Sequence, residues 1–536
     1  MALGRLFWGR ALIAVLATAI ILFERALVGD FRVDDAYISL AFAKNLARGM
    51  GPVFGHGMRV EGYSNFLWVC ICGLLKVLFP NALYSAARWA AFAAFAAMLL
   101  FAFRIARTQA STFWAGLVVL LLAFTTDFTR AAQSALETVP YVAALTFTCW
   151  AYLVEPRDRR RLSGYGILVL CLLRIDGFVH AIFFIGFEVA HAWVGRRLRL
   201  RWLLEWLLIP LTLYAAYFAW RYSYYGLPLP TTYYAKAELG IAEKYRGLAY
   251  VWSSVLELGI PLLGAGAAFA CARRFDASRL FLAALVLTQL AYAVSVGGDW
   301  MPFNRFALPI LPVLTVLFGW GLSDIWHMAR ATSARAAIIA APLLGVWCAS
   351  VAVLQDAHWV NTAAERYKLA DAVHVERHTH GLVEARTLYR WVLRRPGEKL
   401  VTDYGGVFAY FTEATVIEMW GLCNVDIALR GNTDGVASIY GKTCIPCYEE
   451  FQPDYFHANV PLARPADSIK SLDGVIAEIF QGEALDRVLD FRRNYVAGRV
   501  VDTSTNLAFY FLERRRPNHA LETRRPAAHI VVQYPF

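Results

Sequence analysis

Asp34 and Asp35 stand side by side in VDDAYIS, directly after the first apolar segment of the chain. An adjacent acidic pair offers a carboxylate that takes a proton from an incoming hydroxyl or binds a divalent cation. It equally offers a cap for the helix expected from Ala36 onward, and a cap needs only one of the two. Further acids and bases fall at the ends of other apolar runs: Glu137 in SALE, Arg174 and Asp176 in LLRIDG, Lys236 closing RYSYYGLPLPTTYYAK, and Asp299, Trp300 and Arg305 in GGDWMPFNR. Charge at a membrane boundary is costly and needs a reason. The last segment packs a carboxylate, an indole and a guanidinium into one tight turn, which suits a site better than a solvated loop. Arg174 and Asp176 fit either a site or an ion pair steadying a broken helix. The tyrosines of residues 221–236, Tyr233 among them, offer faces for sugar rings or form an interfacial belt, while Lys236 suits a phosphate. Arg59, Glu61 and Lys244 are expected to be solvated loop charges.

These residues are embedded in a very apolar chain: 58% of its 536 residues are hydrophobic and 17% charged, with a mean hydropathy of +0.45. That balance belongs to a polytopic membrane protein rather than a soluble domain. The net charge of +11 comes with arginines packed into short turns between apolar spans, so retention of positive charge on the cytoplasmic side explains it without a nucleic-acid partner. Cys70, Cys72, Cys149, Cys171, Cys271 and Cys348 lie in apolar stretches and act as small hydrophobes. The run from Gly9 to Phe23 has the order of a secretory signal, but it ends in Phe23 and Glu24 with no small-x-small cleavage site, which favours an uncleaved first span.

Apolar runs of helical length predict eleven spans, near 8–24, 84–104, 112–126, 137–154, 163–173, 177–194, 202–220, 250–271, 279–296, 303–325 and 335–354. With the N-terminus in the cytoplasm, the basic turns all fall on one side, and the segments rich in candidate site residues fall on the other. Residues 25–83 form the first outer loop, with a juxtamembrane helix in YISLAFAKNLARG and an interfacial helix near 65–80. The 163–173 run is too short to cross alone. Its break at LLRIDG is tolerated only beside protein or a wet cavity, so a cavity is expected. The membrane half is residues 1–354. Residues 355–536 are predicted to form a mixed α/β domain outside the membrane: an arginine- and histidine-rich helical stretch, then KLVTD and TVIEM as strands. Its cysteines, Cys423, Cys444 and Cys447, imply at least one disulfide in an oxidising compartment, with the pairing left open. CIPC alternatively suits a redox pair or half a zinc site, although no second CxxC accompanies it.

Taken together, DDAYIS, NLARGMGPVFGHGMRVEGYSNFLW, SALET, LLRIDG, YYGLPLPTTYYAK and GGDWMPFNRFALPILP resemble integral-membrane glycosyltransferases of the GT-C superfamily that use polyprenyl-phosphate sugars. Within that superfamily they are most similar to the bacterial group containing the mycobacterial terminal β-arabinofuranosyltransferases. The match covers most of the membrane half and thins beyond residue 355 to VTDYGGVFAYF. PTT at 230–232 and RIDG at 174–177 depart from the family pattern, which has an asparagine before the threonine and a proline after the arginine.

The resemblance implies a first outer loop of two juxtamembrane helices carrying the catalytic aspartate, Asp34 or Asp35. It implies inverting transfer of a sugar from a polyprenyl-phosphate donor to a glycan or protein acceptor outside the bacterial cytoplasmic (inner) membrane. Arabinofuranose is the sugar it suggests; mannose and aminoarabinose stay open. Leaving phosphate charge would be met by a divalent metal cation or by Arg305 and Lys236, with Arg174 third, while Glu137 and Asp299 hold sugar hydroxyls or orient the base. A transporter of lipid-linked sugar is the alternative, but it would favour internal repeats and midplane charges, neither of which is evident. A receptor-like anchor would not need eleven spans.

Overall fold

The computed structural model describes residues 2–55, 57–156, 160–195, 200–236, 241–299, 301, 303–355, 392–393, 396–431, 442, 444–457, 471–479, 493–502, 507–515 and 524–533. Trp300 and the arginine- and histidine-rich stretch after Gln355 lie outside them.

The first helix, α1 (Ala2–Val28), is followed by the two helices expected in the outer loop, α2 (Asp34–Ala47) and α3 (Phe66–Leu78). The membrane half continues with α4 (Leu83–Ala106), α5 (Thr112–Ala123), α6 (Thr126–Gln133), α7 (Thr138–Val154), α8 (Leu162–Leu173), α9 (Gly177–Val194) and α10 (Leu200–Tyr225). It closes with α11 (Thr231–Lys236), α12 (Ile241–Glu257), α13 (Ile260–Arg273), α14 (Ala277–Ser295), α15 (Leu311–Thr332) and α16 (Ala334–Gln355). Seven described helices are long and apolar enough to cross a membrane, and the number rises to nine if the bent pairs α5/α6 (54°) and α12/α13 (82°) each form one span. The eleven spans expected are therefore not all full crossings. The other two are α7 and α8, apolar but only 17 and 12 residues long; at 1.5 Å per residue both fall short of a hydrocarbon core about 30 Å thick.

Both bends meet at Asn304, a residue with φ +48°. Its side-chain amide donates to Asp127 at 2.9 Å and to Glu257 at 3.0 Å, and it accepts from the Ser254 hydroxyl at 2.7 Å. One buried amide thus ties together side chains from beside both bends, inside the protein where polar groups at membrane depth need partners. Arg305 is the next residue, so the same network fixes its entry to the site.

The tail builds a seven-stranded mixed sheet in the order β2-β1-β3-β5-β4-β7-β6. Its strands are β1 (Lys399–Thr402), β2 (Thr415–Glu418), β3 (Tyr455–His457), β4 (Tyr495–Asp502), β5 (Leu507–Arg514), β6 (Arg524–Ala527) and β7 (Ile530–Gln533). The first three run parallel and the others pair antiparallel. KLVTD and TVIEM are β1 and β2, as expected. Short helices α17 (Gly405–Phe411), α18 (Val425–Arg430), α19 (Ile445–Phe451) and α20 (Leu472–Ile479) connect and cover them. The two-residue alternation of side chains divides the burial. Leu400, Val416, Tyr455 and Phe511 join the core shared with the membrane half, while Val401, Ile417, Phe456 and Leu512 form a second core with Tyr448. That second core contains the Cys444–Cys447 disulfide. Cys423 stays a free, buried thiol against the backbone of Gly62.

Candidate active site

The acidic pair divides. Helix α2 starts at Asp34, two residues earlier than expected, and neither aspartate caps it: Val33 is its N-cap, with no side-chain bond. Asp34 caps another helix. Its two carboxylate oxygens accept the backbone N–H groups of Gly406 (3.1 Å) and Val407 (2.8 Å) at the start of α17. The cover of the tail pushes the Asp34 carboxyl upward from its ordinary value, with the two amides pulling the other way. At the far end of α17, the Lys44 ammonium donates to the carbonyls of Ala409 (3.0 Å) and Tyr410 (2.7 Å). Helix α2 thus presents an anion to the N-terminus of α17 and a cation to its C-terminus, matching the dipole at both ends. The approach is so close that a Cβ on Gly406 would sit 2.3 Å from the Asp34 carbonyl oxygen.

Asp35 faces the other way, into a cavity of about 300 Å³ whose wall also includes Glu137, Arg174, Asp176, Tyr233, Lys236, Asp299 and Arg305. The described candidate residues other than Asp34 therefore converge. Arg305 forms a two-pronged pair with the buried Asp299, one arm at 3.0 Å, and its Nη1 lies 4.0 Å from Asp35. Arg174 bridges Glu137 (3.0 Å) and Asp176 (2.8 Å), so it both steadies the α8/α9 break and lines the cavity. The second Glu137 oxygen accepts from Asn65 at 2.7 Å, and Asn65 bonds the Ser39 hydroxyl at 3.0 Å. The ring of Phe306 lies near both guanidiniums, 5.5 Å from Arg174 and 5.7 Å from Arg305. Lys236 forms no hydrogen bond or ion pair with another described residue. Burial lowers its pKa, opposed by the nearby Asp35 carboxylate.

The tail completes the wall. Glu418 at the end of β2 accepts the backbone N–H groups of Trp420 (2.9 Å), Leu422 (2.6 Å) and Cys423 (3.3 Å), shaping the loop that brings Leu422 to the cavity. Burial pushes this carboxyl up to about 7.

Two expectations need correction. Glu61 is not solvated: it is buried, 3% exposed, and pairs through both oxygens with the equally buried Arg221 at 2.8 Å. An acid set between Val60 and Gly62 in a buried stretch gains from a buried partner, which the arginine opening the tyrosine-rich segment supplies. Arg59 and Lys244 are exposed, as expected. The tyrosine-rich segment is also largely a clamp. The Tyr225 hydroxyl donates to the Pro52 carbonyl at 2.7 Å and lies 3.0 Å from the Tyr63 hydroxyl, leaving Tyr233 as its tyrosine on the cavity wall. Ser39, Asn65, Phe306 and Leu422 were not anticipated. Ser39 was legible, since it is four residues from Asp35 on the same face of a helix; Leu422 carried no such signal. Among the described residues no three carboxylate, histidine or cysteine side chains converge as metal ligands, so no step below passes through a metal.

The helical half, the two-helix outer loop opening on a cavity and the α/β tail seated over it define the GT-C fold. ArnT from Cupriavidus metallidurans bound to undecaprenyl phosphate superposes with a TM-score of 0.52 at 13% identity, covering 87% of this chain and 94% of that one. The oligosaccharyltransferase AglB from Archaeoglobus fulgidus, in complex with an inhibitory peptide and a dolichol-phosphate, superposes at 0.53 and 12% identity, covering 96% and 75%. No protein-family model matches the sequence, and no curated protein matches it.

Proposed function

We propose that the chain is an inverting glycosyltransferase that moves a sugar, D-arabinofuranose by its sequence resemblance, from a polyprenyl-phosphate donor to a glycan or protein acceptor. The observation that carries this reading is Asp35 facing Arg305 and Lys236 across one cavity. In the reaction, Asp35 takes the proton of the acceptor hydroxyl as that oxygen bonds the anomeric carbon from the face opposite the donor oxygen. The bond from the anomeric carbon to the phosphate oxygen breaks, and its electron pair leaves with polyprenyl phosphate. Lys236 and Arg305 meet the charge that develops there, in a site where burial strengthens their pull. Asp299 fixes Arg305; Glu137, Arg174, Asp176 and Tyr233 shape the sugar pocket, with Trp300 assigned to the same pocket from its sequence position. Supporting the donor class, two proteins of the same fold were solved with polyprenyl or dolichyl phosphate. The enzyme is placed in the bacterial inner membrane with its cavity and tail outside the cytoplasm. The tail disulfide suits an oxidising compartment, and the basic turns fall at the opposite ends of the spans.

The test is transfer by the purified protein with a panel of polyprenyl-phosphate arabinofuranose, mannose and aminoarabinose, read by product mass and linkage. A product of inverted configuration from one donor is expected. Movement of donor across vesicles with no covalent product would replace this reading with transport.

A further inference from the structure

A second cavity, about 730 Å³, opens between α1, α4, α5 and α7 at the end of the bundle away from Asp35. That volume falls within the roughly 300–1,000 Å³ typical of small-ligand sites. Its floor is apolar, including Ile13, Ala17, Leu99 and Val119, while Arg10, Arg104 and Arg107 stand among its lining residues. Among the described residues no carboxylate lines it. The Arg104 guanidinium stacks over the Trp150 ring at 5.2 Å, and Arg107 donates to the Ala110 carbonyl at 2.5 Å. None of the three arginines forms an ion pair with a described residue, whereas Arg160, Arg279 and Arg88 all pair with carboxylates. A cation left unpaired beside an apolar trough is complementary to a molecule with an anionic head and a hydrocarbon tail.

We infer that this groove is a binding site for an anionic membrane phospholipid, with its phosphate against Arg10, Arg104 and Arg107 and an acyl chain along α1 and α4. The site is separate from the sugar-transfer cavity and does not depend on the function proposed for it. It has cations but no base, so it would hold a lipid without reacting with it.

Native mass spectrometry of the full chain, offered phosphatidylglycerol and phosphatidylcholine at equal concentration, tests the inference. Phosphatidylglycerol adducts are expected to lead by about tenfold, and the combined Arg10→Gln, Arg104→Gln, Arg107→Gln variant to bring the two lipids near parity. Parity in the unaltered protein, or a preference that survives the triple substitution, would overturn it. Should that variant not fold, Ala14→Phe with Ala96→Phe keeps every arginine but fills the trough, and unchanged phosphatidylglycerol binding there would equally refute the site. A phosphatidylglycerol carrying a photoactivatable acyl chain needs no variant: crosslinks are expected in α1 and α4, and labelling confined to other helices would overturn the assignment.

Discussion

On the side of α2 turned to the tail, Asp34 and Lys44 meet backbone partners at the two ends of α17. On the side turned to the cavity, Asp35 has Arg305 at 4.0 Å and open space beside it. The two aspartates are neighbours in sequence and chemically identical, so the difference is one of saturation. A carboxylate whose oxygens are both engaged by amides has little capacity left for a substrate, whereas one in loose contact with a cation can accept a proton. The pair therefore combines a structural acid and the acid proposed as the base, and the helix that carries them joins the tail to the cavity.

Breaking the reactive side should have the largest effect. Asp35→Asn is expected to lower transfer by about 10²–10⁴-fold, the usual contribution of a general base, with an unchanged unfolding midpoint. Full activity in that variant would remove the base from the mechanism. On the structural side, Gly406→Ala places a methyl against the backbone of α2 and is expected to cost the upper part of about 1–3 kcal/mol, seen as early proteolysis of the tail. Asp34→Ala leaves two amides of α17 without acceptors and should destabilise by about 1–3 kcal/mol in chemical unfolding, with activity lost only as the tail undocks. If Asp34→Ala abolished transfer at an unchanged unfolding midpoint, the roles given to the two aspartates would have to be exchanged.

The smallest effect is a pH dependence. Burial lowers Lys44 to about 8 from an ordinary 10.5. Between those values the unfolded chain binds the proton and the folded chain does not, so stability should rise with pH across that window. Lys44→Met is expected to flatten the rise; an identical slope in the variant would mean that Lys44 is not its source.

Much of this arrangement was legible in sequence, because membrane insertion imposes strong patterns. Most of the spans, the outer-loop helices and the break at LLRIDG follow from apolar run lengths, and the cost of boundary charge puts Asp35, Glu137, Arg174, Lys236, Asp299 and Arg305 on one face; their meeting in one cavity was implied by the resemblance. The division between Asp34 and Asp35 was not legible. It depends on α17, which begins about 370 residues later and whose docking no local spacing encodes. Glu61 misled for a related reason: its partner, Arg221, lies 160 positions away, and an acid in a glycine-rich loop looks solvated until that partner is found. The bends at α5/α6 and α12/α13 were hidden because hydropathy registers apolar length and not direction.

Leu422, held in place by the amides that Glu418 gathers, belongs to a wall whose other described residues come from the membrane half. During synthesis the spans enter the bilayer long before that leucine leaves the ribosome, so a nascent chain holds the acids and cations of an unfinished chamber. Completion of the chamber is tied to completion of the polypeptide, and a fragment ending after the last span would insert normally yet lack one of the chamber's walls.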